Sequence, residues 1–434
     1  MHEMLTLGID FGTSAVKAVV TDDDGSVIAH ASAPYPLHKP FADRAEQDPE
    51  DWWTALLHVC RQILSQVPAG RIAALGLSGQ LNGIVLLDGE GLVLRPAMIW
   101  LDQRCGPELA ELESAFSARL SEWTGSPASP IAILPKLRWL MRHEPDLMGR
   151  VRHVAQVKDY ILWRLTGEWV TEANEASATL MMDLGRRAWS DELLAFAGIR
   201  PEWLPPILAS DRFAGKVGRD AARLTGLPEG MPVAPGAGDP GALAVGCGAY
   251  EPGVAAVTLG TAGHVVAAVP NTAPGLVPGL WRMAHVSADH ELWLGLIPAG
   301  GLSIAWLREL TSGPTGAELS FEAVEALARQ APPGSDGVVF LPFLEGAGTP
   351  WNRPWLRAGF SGLNVTHGMP AMARAVYEGI AFNIRACVEA FETSGVRITR
   401  IHLAEGGARS SFWCQIIADV LHREVHVVEQ GDTS

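Results

Sequence analysis

The sequence predicts an α/β protein of two related domains, residues 1–243 and 244–434, that share a cleft. Three observations carry this expectation. At 434 residues the chain is too long for one ordinary hydrophobic core. Its opening reads as a meander of three short strands followed by a clear helix start, the pattern of an α/β domain. The strand, Gly-Thr turn, strand arrangement at the N-terminus also returns roughly 250 residues later, as it would if two related domains each offered a turn to one cleft.

The elements follow in order. Leu5–Asp10 is a short apolar run, Gly12–Ser14 a turn, and Ala15–Thr21 a valine-rich second run. Asp22-Asp23-Asp24-Gly25 closes that run, since Asp-Gly is a strong hairpin pair, and Val27–Ala33 gives a third strand. Asp48-Pro49-Glu50-Asp51-Trp52-Trp53 starts a helix: Asp48 caps it, Pro49 takes the first turn and two acids face the dipole. Leu56, Leu57, Val59 and Ile63 continue at helical spacing. Ile72–Leu77 is a buried strand that Ser78-Gly79-Gln80 breaks. Val85–Leu87 and Leu92–Leu94 flank Asp88-Gly89-Glu90-Gly91 as a hairpin, and a mixed, largely helical region follows from about 106 to 200. Pro232–Pro235 is a strand entering the loop Gly236-Ala237-Gly238-Asp239-Pro240-Gly241. Val254–Leu259, the turn Gly260-Thr261-Ala262-Gly263 and His264–Ala268 repeat the N-terminal arrangement. Ile398–Leu403 is a strand before Glu405-Gly406-Gly407-Ala408-Arg409-Ser410, and a helix starts near Phe412-Trp413.

Composition narrows the partners. Hydrophobic residues make up 48% of the chain and charged residues 19%, ordinary for a compact fold. A net charge of −15 argues against nucleic acid and anionic membranes, which both reward basic surfaces. An anionic nucleotide would then be held by N–H dipoles, local cations and a metal. Cys60, Cys105, Cys247, Cys387 and Cys414 stand singly, without a CxxC or metal spacing, the usage of a reduced cytosolic protein. No apolar run approaches the ~20 residues of a membrane helix. The N-terminus lacks the basic-then-apolar pattern of an export signal, so the cytoplasm is the expected compartment.

Four segments carry candidate chemistry. A turn such as Asp10-Phe11-Gly12-Thr13-Ser14 points backbone N–H groups at an anion, with close approach at Gly12 and hydroxyl donors from Thr13 and Ser14. Asp10 offers a hard carboxylate to Mg²⁺, directly or through water. A capped hairpin turn with no ligand is the competing reading, and Gly260-Thr261 as a second such turn weighs against it. Asp239 is placed to accept a proton from a hydroxyl, although local sequence alone favours an ordinary turn aspartate before proline. Gly406-Gly407, between a strand and a helix, allows a flat ring or phosphate to lie against the backbone, or is a plain connection. Most of the 15 tryptophans are packing residues, and the histidines form no metal-binding spacing.

These segments resemble the FGGY carbohydrate kinases. Leu7-Gly8-Ile9-Asp10-Phe11-Gly12-Thr13-Ser14, Glu46-Gln47-Asp48-Pro49-Glu50-Asp51-Trp52-Trp53 and Gly76-Leu77-Ser78-Gly79-Gln80 match that family's motifs. So do Pro235-Gly236-Ala237-Gly238-Asp239, Leu259-Gly260-Thr261, Phe340-Leu341-Pro342-Phe343 and Gly406-Gly407-Ala408-Arg409-Ser410, all in the family's order over essentially the whole chain. Gly79-Gln80 through Leu87-Asp88, with Arg95–Trp100, looks most like the xylulokinase branch. The resemblance implies two actin-like (ribonuclease-H-like) domains with ATP, Mg²⁺ and a sugar in the cleft. It implies Asp239 as catalytic base, Asp10 as the metal-linked carboxylate, and Gly12, Thr13, Ser14, Gly260 and Thr261 as phosphate grips. Gly301 resembles a position close to the nucleotide, and Gly406, Gly407 and Ser410 an adenine and ribose wall. Gln80, Leu81, Asn82, Trp100 and Asp102, with Asp239, fall where the family lines its sugar pocket.

The expected reaction is phosphorylation of a terminal hydroxyl of a small ketose, D-xylulose to D-xylulose 5-phosphate. Three departures from the xylulokinase pattern bear on the sugar. Leu81-Asn82 stands where Met-His is typical, Pro240 follows the aspartate where Asn is typical, and Ala347-Gly348 precedes Thr349-Pro350 where Glu-Arg is typical. The last segment, Gly431-Asp432-Thr433-Ser434, comes where family members continue for roughly fifty residues, so a truncated second domain is expected. Alternatives are a kinase for another pentulose or polyol such as ribulose, or an impaired sugar- or nucleotide-binding relative. An actin-like assembly protein or chaperone ATPase would share the two turns but not the Glu46–Trp53 and Gly79–Asp88 segments. The oligomeric state, a homodimer among the options, is left open.

Overall fold

A computed structural model describes residues 4–271, 279–311 and 319–428. Met1–Glu3 and the chain end at Gly431–Ser434, both used above, lie outside them. The chain divides into two compact units. Unit 1 holds the residues up to Leu243 together with Arg282–His290, and unit 2 holds Ala244–Trp281 and the chain from Glu291 onward.

Unit 1 is organised by the sheet strands β1 (Leu5–Phe11), β2 (Ala15–Thr21), β3 (Val27–Pro34), β4 (Ile72–Gly79), β5 (Gly215–Lys216) and β6 (Pro232–Gly238). Their order is β5-β6-β4-β1-β2-β3. The β1-β2-β3 meander is antiparallel, whereas β1, β4 and β6 are parallel. Alternation explains β1: Leu5, Leu7, Ile9 and Phe11 are buried on one face while the residues between them face outward. Helix α1 (Pro49–Gln66) starts as expected, Asp48 accepting from the Glu50 N–H at 3.0 Å, and buries Trp52, Trp53, Leu56, Val59 and Ile63. Full burial of side chains this large stabilises the fold by about 2–3 kcal/mol each. A second apolar cluster, built on Ile84, Leu112, Leu134, Leu137 and Leu193, packs the helical middle of the unit.

The second six-stranded sheet comprises β7 (Val254–Leu259), β8 (Gly263–Pro270), β9 (Trp281–Ala284), β10 (His290–Ile297), β11 (Arg400–Ala404) and β12 (Val425–Val427). Their order is β12-β11-β7-β8-β10-β9, with β7 parallel to β11 and antiparallel to β8. Each sheet is thus centred on a strand, a Gly-Thr turn and an antiparallel return, with a parallel strand on the other side. The repeat read from the sequence is therefore a repeat of sheet topology.

One sequence expectation gains a distant partner and another changes. Val85–Leu87 pairs antiparallel with His153–Ala155 and also, as a short hairpin, with the Leu92–Leu94 stretch through the Leu87–Val93 bridge and the bonds Leu94 N–H to Leu86 carbonyl (2.9 Å) and Asp88 N–H to Leu92 carbonyl (3.1 Å). The Asp88 carboxylate accepts from the N–H groups of Glu90 and Leu92, each at 3.0 Å, and so closes the turn of this hairpin. Asp239 lies in no loop: β6 runs through Gly238, and a helix (Asp239–Gly246) begins at once. Glycine makes this possible, because a Cβ on Gly236 (φ +66°) would sit 1.8 Å from the Leu77 carbonyl oxygen. Pro240 falls in the first helical turn, where its missing N–H costs no intrahelical bond.

Candidate active site

Parallel register builds the site in unit 1. Asp10 lies opposite Ser78, Phe11 opposite Gly79, and Gly79 opposite Gly238, so β1, β4 and β6 deliver Asp10, Gln80 and Asp239 to one edge of the sheet. This edge, at the carboxyl ends of parallel strands, is where open α/β sheets take their ligands. Asp10 is hydrogen-bonded to both Asp239 and Ser78; burial raises its carboxyl above the ordinary range against the lowering effect of those bonds and of Lys17. Asp239 is raised further, by crowding of protein around it and then by the Asp10 charge. Its side chain nonetheless keeps an exposed surface, so a reactant can reach it.

Behind the Gly12–Ser14 turn the carbonyls are held firmly. The Gly12 carbonyl accepts from the Tyr35 hydroxyl and, at 3.4 Å, from Gln80 Nε2. The Thr13 carbonyl accepts from Gln47 Nε2 at 2.7 Å, and Gln47 Oε1 accepts from Gln80 Nε2 at 2.8 Å. Burial and the charges of Asp10 and Asp239 push the Tyr35 phenol up, so it remains a neutral donor. No acceptor among the described residues takes the N–H groups of Thr13 and Ser14. On the open side Trp100 Nε1 donates to Thr13 Oγ1 at 2.9 Å.

The sugar-side residues divide. Leu81 packs over Gly238, where a Cβ would meet Leu81 Cδ2 at 2.1 Å. Asn82 is buried at φ +63°, its N–H bound to Gln156 Oε1 at 3.1 Å. Gln80 Oε1 and Asn82 Oδ1 are buried acceptors without a protein partner. Asp102 differs: Arg104 Nε (2.9 Å) and Nη2 (2.6 Å) and the Ala45 N–H (2.9 Å) occupy its carboxylate. It holds a loop together and has no oxygen to spare for a sugar.

Unit 2 gathers Gly260, Thr261, Gly301, Gly406, Gly407 and Ser410 around one cavity of about 630 Å³, walled also by Phe321, Tyr377 and Trp413. The volume suits a small-molecule ligand. The Gly260 and Thr261 carbonyls accept from the N–H groups of Gly301 (2.7 Å) and Leu302 (3.0 Å), docking the turn on a helix start at Gly301. A Cβ on Gly301 would lie 2.6 Å from the Gly260 oxygen, and one on Gly407 2.4 Å from Trp413 Cζ3; at Gly406 there is open space. Gly301→Ala is therefore expected to displace the turn and raise the nucleotide KM about tenfold, with the sugar KM unchanged. Steady-state kinetics with each reactant varied checks this. The Ser410 hydroxyl is committed as a helix cap, accepting from Trp413 N–H at 3.0 Å and donating to Glu325 Oε2 at 2.6 Å.

Sequence reasoning missed a buried charge network under the Asp239 strand end. Lys158 Nζ lies 3.4 Å from Asp159 Oδ1, 3.4 Å from Glu172 Oε1 and 3.5 Å from Glu175 Oε2, all buried. Burial opposes the Lys158 charge, and the three carboxyls outweigh it and keep the amine protonated. Glu175, whose oxygens have no hydrogen-bond partner, is pushed well up by burial. Its Oε2 lies 3.3 Å from where a Cβ on Gly238 would be. The available signal was Lys158-Asp159 in the first turn of a largely apolar helix, Val157–Thr166. Glu405 was also passed over: at φ +68°, ψ −172° it occupies a backbone region that is essentially glycine's. Among the described residues no group of three or more His, Cys, Asp or Glu side chains forms a metal site.

Comparison with known proteins decides the family. Residues 5–246 match the model for the FGGY family of carbohydrate kinases, N-terminal domain, and residues 255–434 match its C-terminal domain. The chain belongs to the FGGY family of carbohydrate kinases. This kinase is 31% identical to a xylulose kinase of Escherichia coli K12, over 98% of its own length and 87% of the relative's. It is 30% identical to a gluconokinase of Bacillus subtilis 168, over 99% and 85% of the two chains. The crystal structure of a xylulose kinase from Rhodospirillum rubrum aligns with a TM-score of 0.90 at 33% identity, covering 98% of this kinase and 86% of that chain. The two-domain FGGY fold and ATP-dependent sugar kinase chemistry follow. No helix among the described residues is long and apolar enough to cross a membrane.

Proposed function

We propose that the kinase transfers the γ-phosphoryl group of ATP to the terminal hydroxyl of D-xylulose, giving D-xylulose 5-phosphate and ADP. The observation that carries this reading is the Asp10–Asp239 carboxyl pair at the ends of parallel strands, beside a turn with free N–H groups. Asp239 accepts the hydroxyl proton as the oxygen bonds to the γ-phosphorus and the bond to the bridging oxygen of ADP breaks. A carboxyl raised by its neighbours is a stronger base once ionised. Gly12, Thr13 and Ser14 grip transferring phosphate oxygens, and the unit 2 cavity holds the nucleotide, with Gly260, Thr261, Gly301, Gly406 and Gly407 at its wall. Two carboxyls in hydrogen-bond contact need a shared proton or a cation, which fits Asp10 as the residue that would hold Mg²⁺. Bound there, the ion would neutralise phosphate charge.

Gln80, Leu81, Asn82 and Trp100 form the sugar wall, with Asp102 behind them as a support. The acceptors Gln80 Oε1 and Asn82 Oδ1, together with Asp10 and Asp239, suit the hydroxyl donors of a neutral ketose and repel a carboxylate such as gluconate. ADP release with ATP and D-xylulose, D-ribulose, glycerol or gluconate tests this. D-xylulose is expected to give a kcat/KM at least tenfold above gluconate. Preference for gluconate would overturn the substrate assignment, and no sugar-dependent release would overturn the reaction.

A further inference from the structure

We infer that Trp100 is a positioning residue for phosphoryl transfer, acting through Thr13 in addition to walling the sugar site. The inference rests on the proposed phosphate-gripping role of the Thr13 turn. The two residues stand 87 positions apart in sequence, and the indole N–H meets Thr13 Oγ1 at 2.9 Å. An indole nitrogen donates and cannot accept, so the threonine oxygen is the acceptor and its own proton must point elsewhere. Gln47 holds the Thr13 carbonyl and so the backbone of the turn, while the Trp100 bond holds the side-chain oxygen. That bond excludes the direction of the indole for the O–H and favours its use as a donor for an anion on the open side of the turn.

Trp100 is held firmly enough for this task although it is 36% exposed. The Ile99 carbonyl before it accepts from the buried Lys136 Nζ at 2.8 Å, and also from the Asp102 N–H at 3.0 Å. The Ile99 N–H donates to the Ala45 carbonyl at 3.2 Å, and the Ala45 N–H returns a bond to Asp102 Oδ2 at 2.9 Å. One side chain thus connects the wall of the proposed sugar site to the proposed phosphate turn. A prearranged donor helps the transition state because no reorganisation is needed when charge moves.

A double-mutant cycle tests the inference, using Trp100→Phe, which keeps an aromatic face and loses the N–H, and Thr13→Val. Trp100→Phe is expected to lower kcat about 3- to 10-fold, the worth of one uncharged hydrogen bond, with the sugar KM changed less than twofold. In the Thr13→Val background the same change should have no further effect on kcat, whereas in Thr13→Ser, which keeps the hydroxyl, it should act in full. Thermal melts of each variant verify folding, and Thr13→Ser keeps the test open if Thr13→Val fails to fold. If the two effects multiply, or Trp100→Phe raises only the sugar KM, Trp100 is a sugar wall alone and the inference is wrong. If Thr13→Val leaves nucleotide kinetics unchanged, the phosphate-turn reading fails, and the inference falls with it.

Discussion

Asp239→Asn is expected to lower kcat by about 10²–10⁴-fold, the usual worth of a positioned general base, while the KM values for sugar and ATP stay within a few-fold. An amide fills the same space as the carboxyl but cannot take the hydroxyl proton. Single-turnover phosphoryl transfer measures the step directly, and a rate near that of the wild type would remove Asp239 from the role of base. The same substitution should leave the fold intact or slightly more stable. Crowding and the Asp10 charge raise the Asp239 carboxyl, so its ionisation costs more in the folded state than in the unfolded chain. Above the ordinary carboxylate range the folded state therefore holds more protons than the unfolded chain, and metal-free protein loses stability as pH rises there. Asp239→Asn should lose less over the same window.

Lys158→Met should have the largest effect on stability. Removing the ammonium leaves Asp159, Glu172 and Glu175 buried without a counter-ion, and breaking a buried pair in this way costs about 3–5 kcal/mol. For a protein of this size that corresponds to a fall in Tm of about 3–6 °C. Adding Glu175→Gln should recover part of the loss, because one of the uncompensated acids is removed. Thermal and urea unfolding of the single and double variants check both statements; an unchanged midpoint for Lys158→Met would mean that the network is not held by its charge. The network also lies against the strand end that carries Asp239, so loss of order there should appear as reduced kcat before global unfolding.

Short-range signals made much of the architecture legible. The β1 alternation, the Asp48-Pro49 helix start, and the Gly-Thr turn with its repeat depend only on neighbours along the chain, and the structure has each of them. The turn between Val85–Leu87 and Leu92–Leu94 was legible for the same reason, but the further partner of Val85–Leu87, some seventy residues away, was not, because no local pattern announces such a partner. Glycines usually mark a loop, and local sequence therefore places Asp239 in one; in this kinase they let β6 press against Leu77 and enter a helix.

For the site, the sequence by itself determined the chemistry on offer: a carboxylate and hydroxyls around Gly12, a second turn at Gly260-Thr261, and glycines where no side chain fits. Only the tertiary structure decided which groups meet. Parallel register puts Asp10, Ser78 and Asp239 together, a pairing between segments far apart in the chain. It also decided which polar groups are already used, committing Asp102 to Arg104 and Ser410 to Glu325 while leaving acceptors on Gln80 and Asn82 open. The physical reason is that hydrogen-bond satisfaction and charge compensation belong to the folded interior. A residue's type sets what it can do, and its buried neighbours set whether it is free to do it.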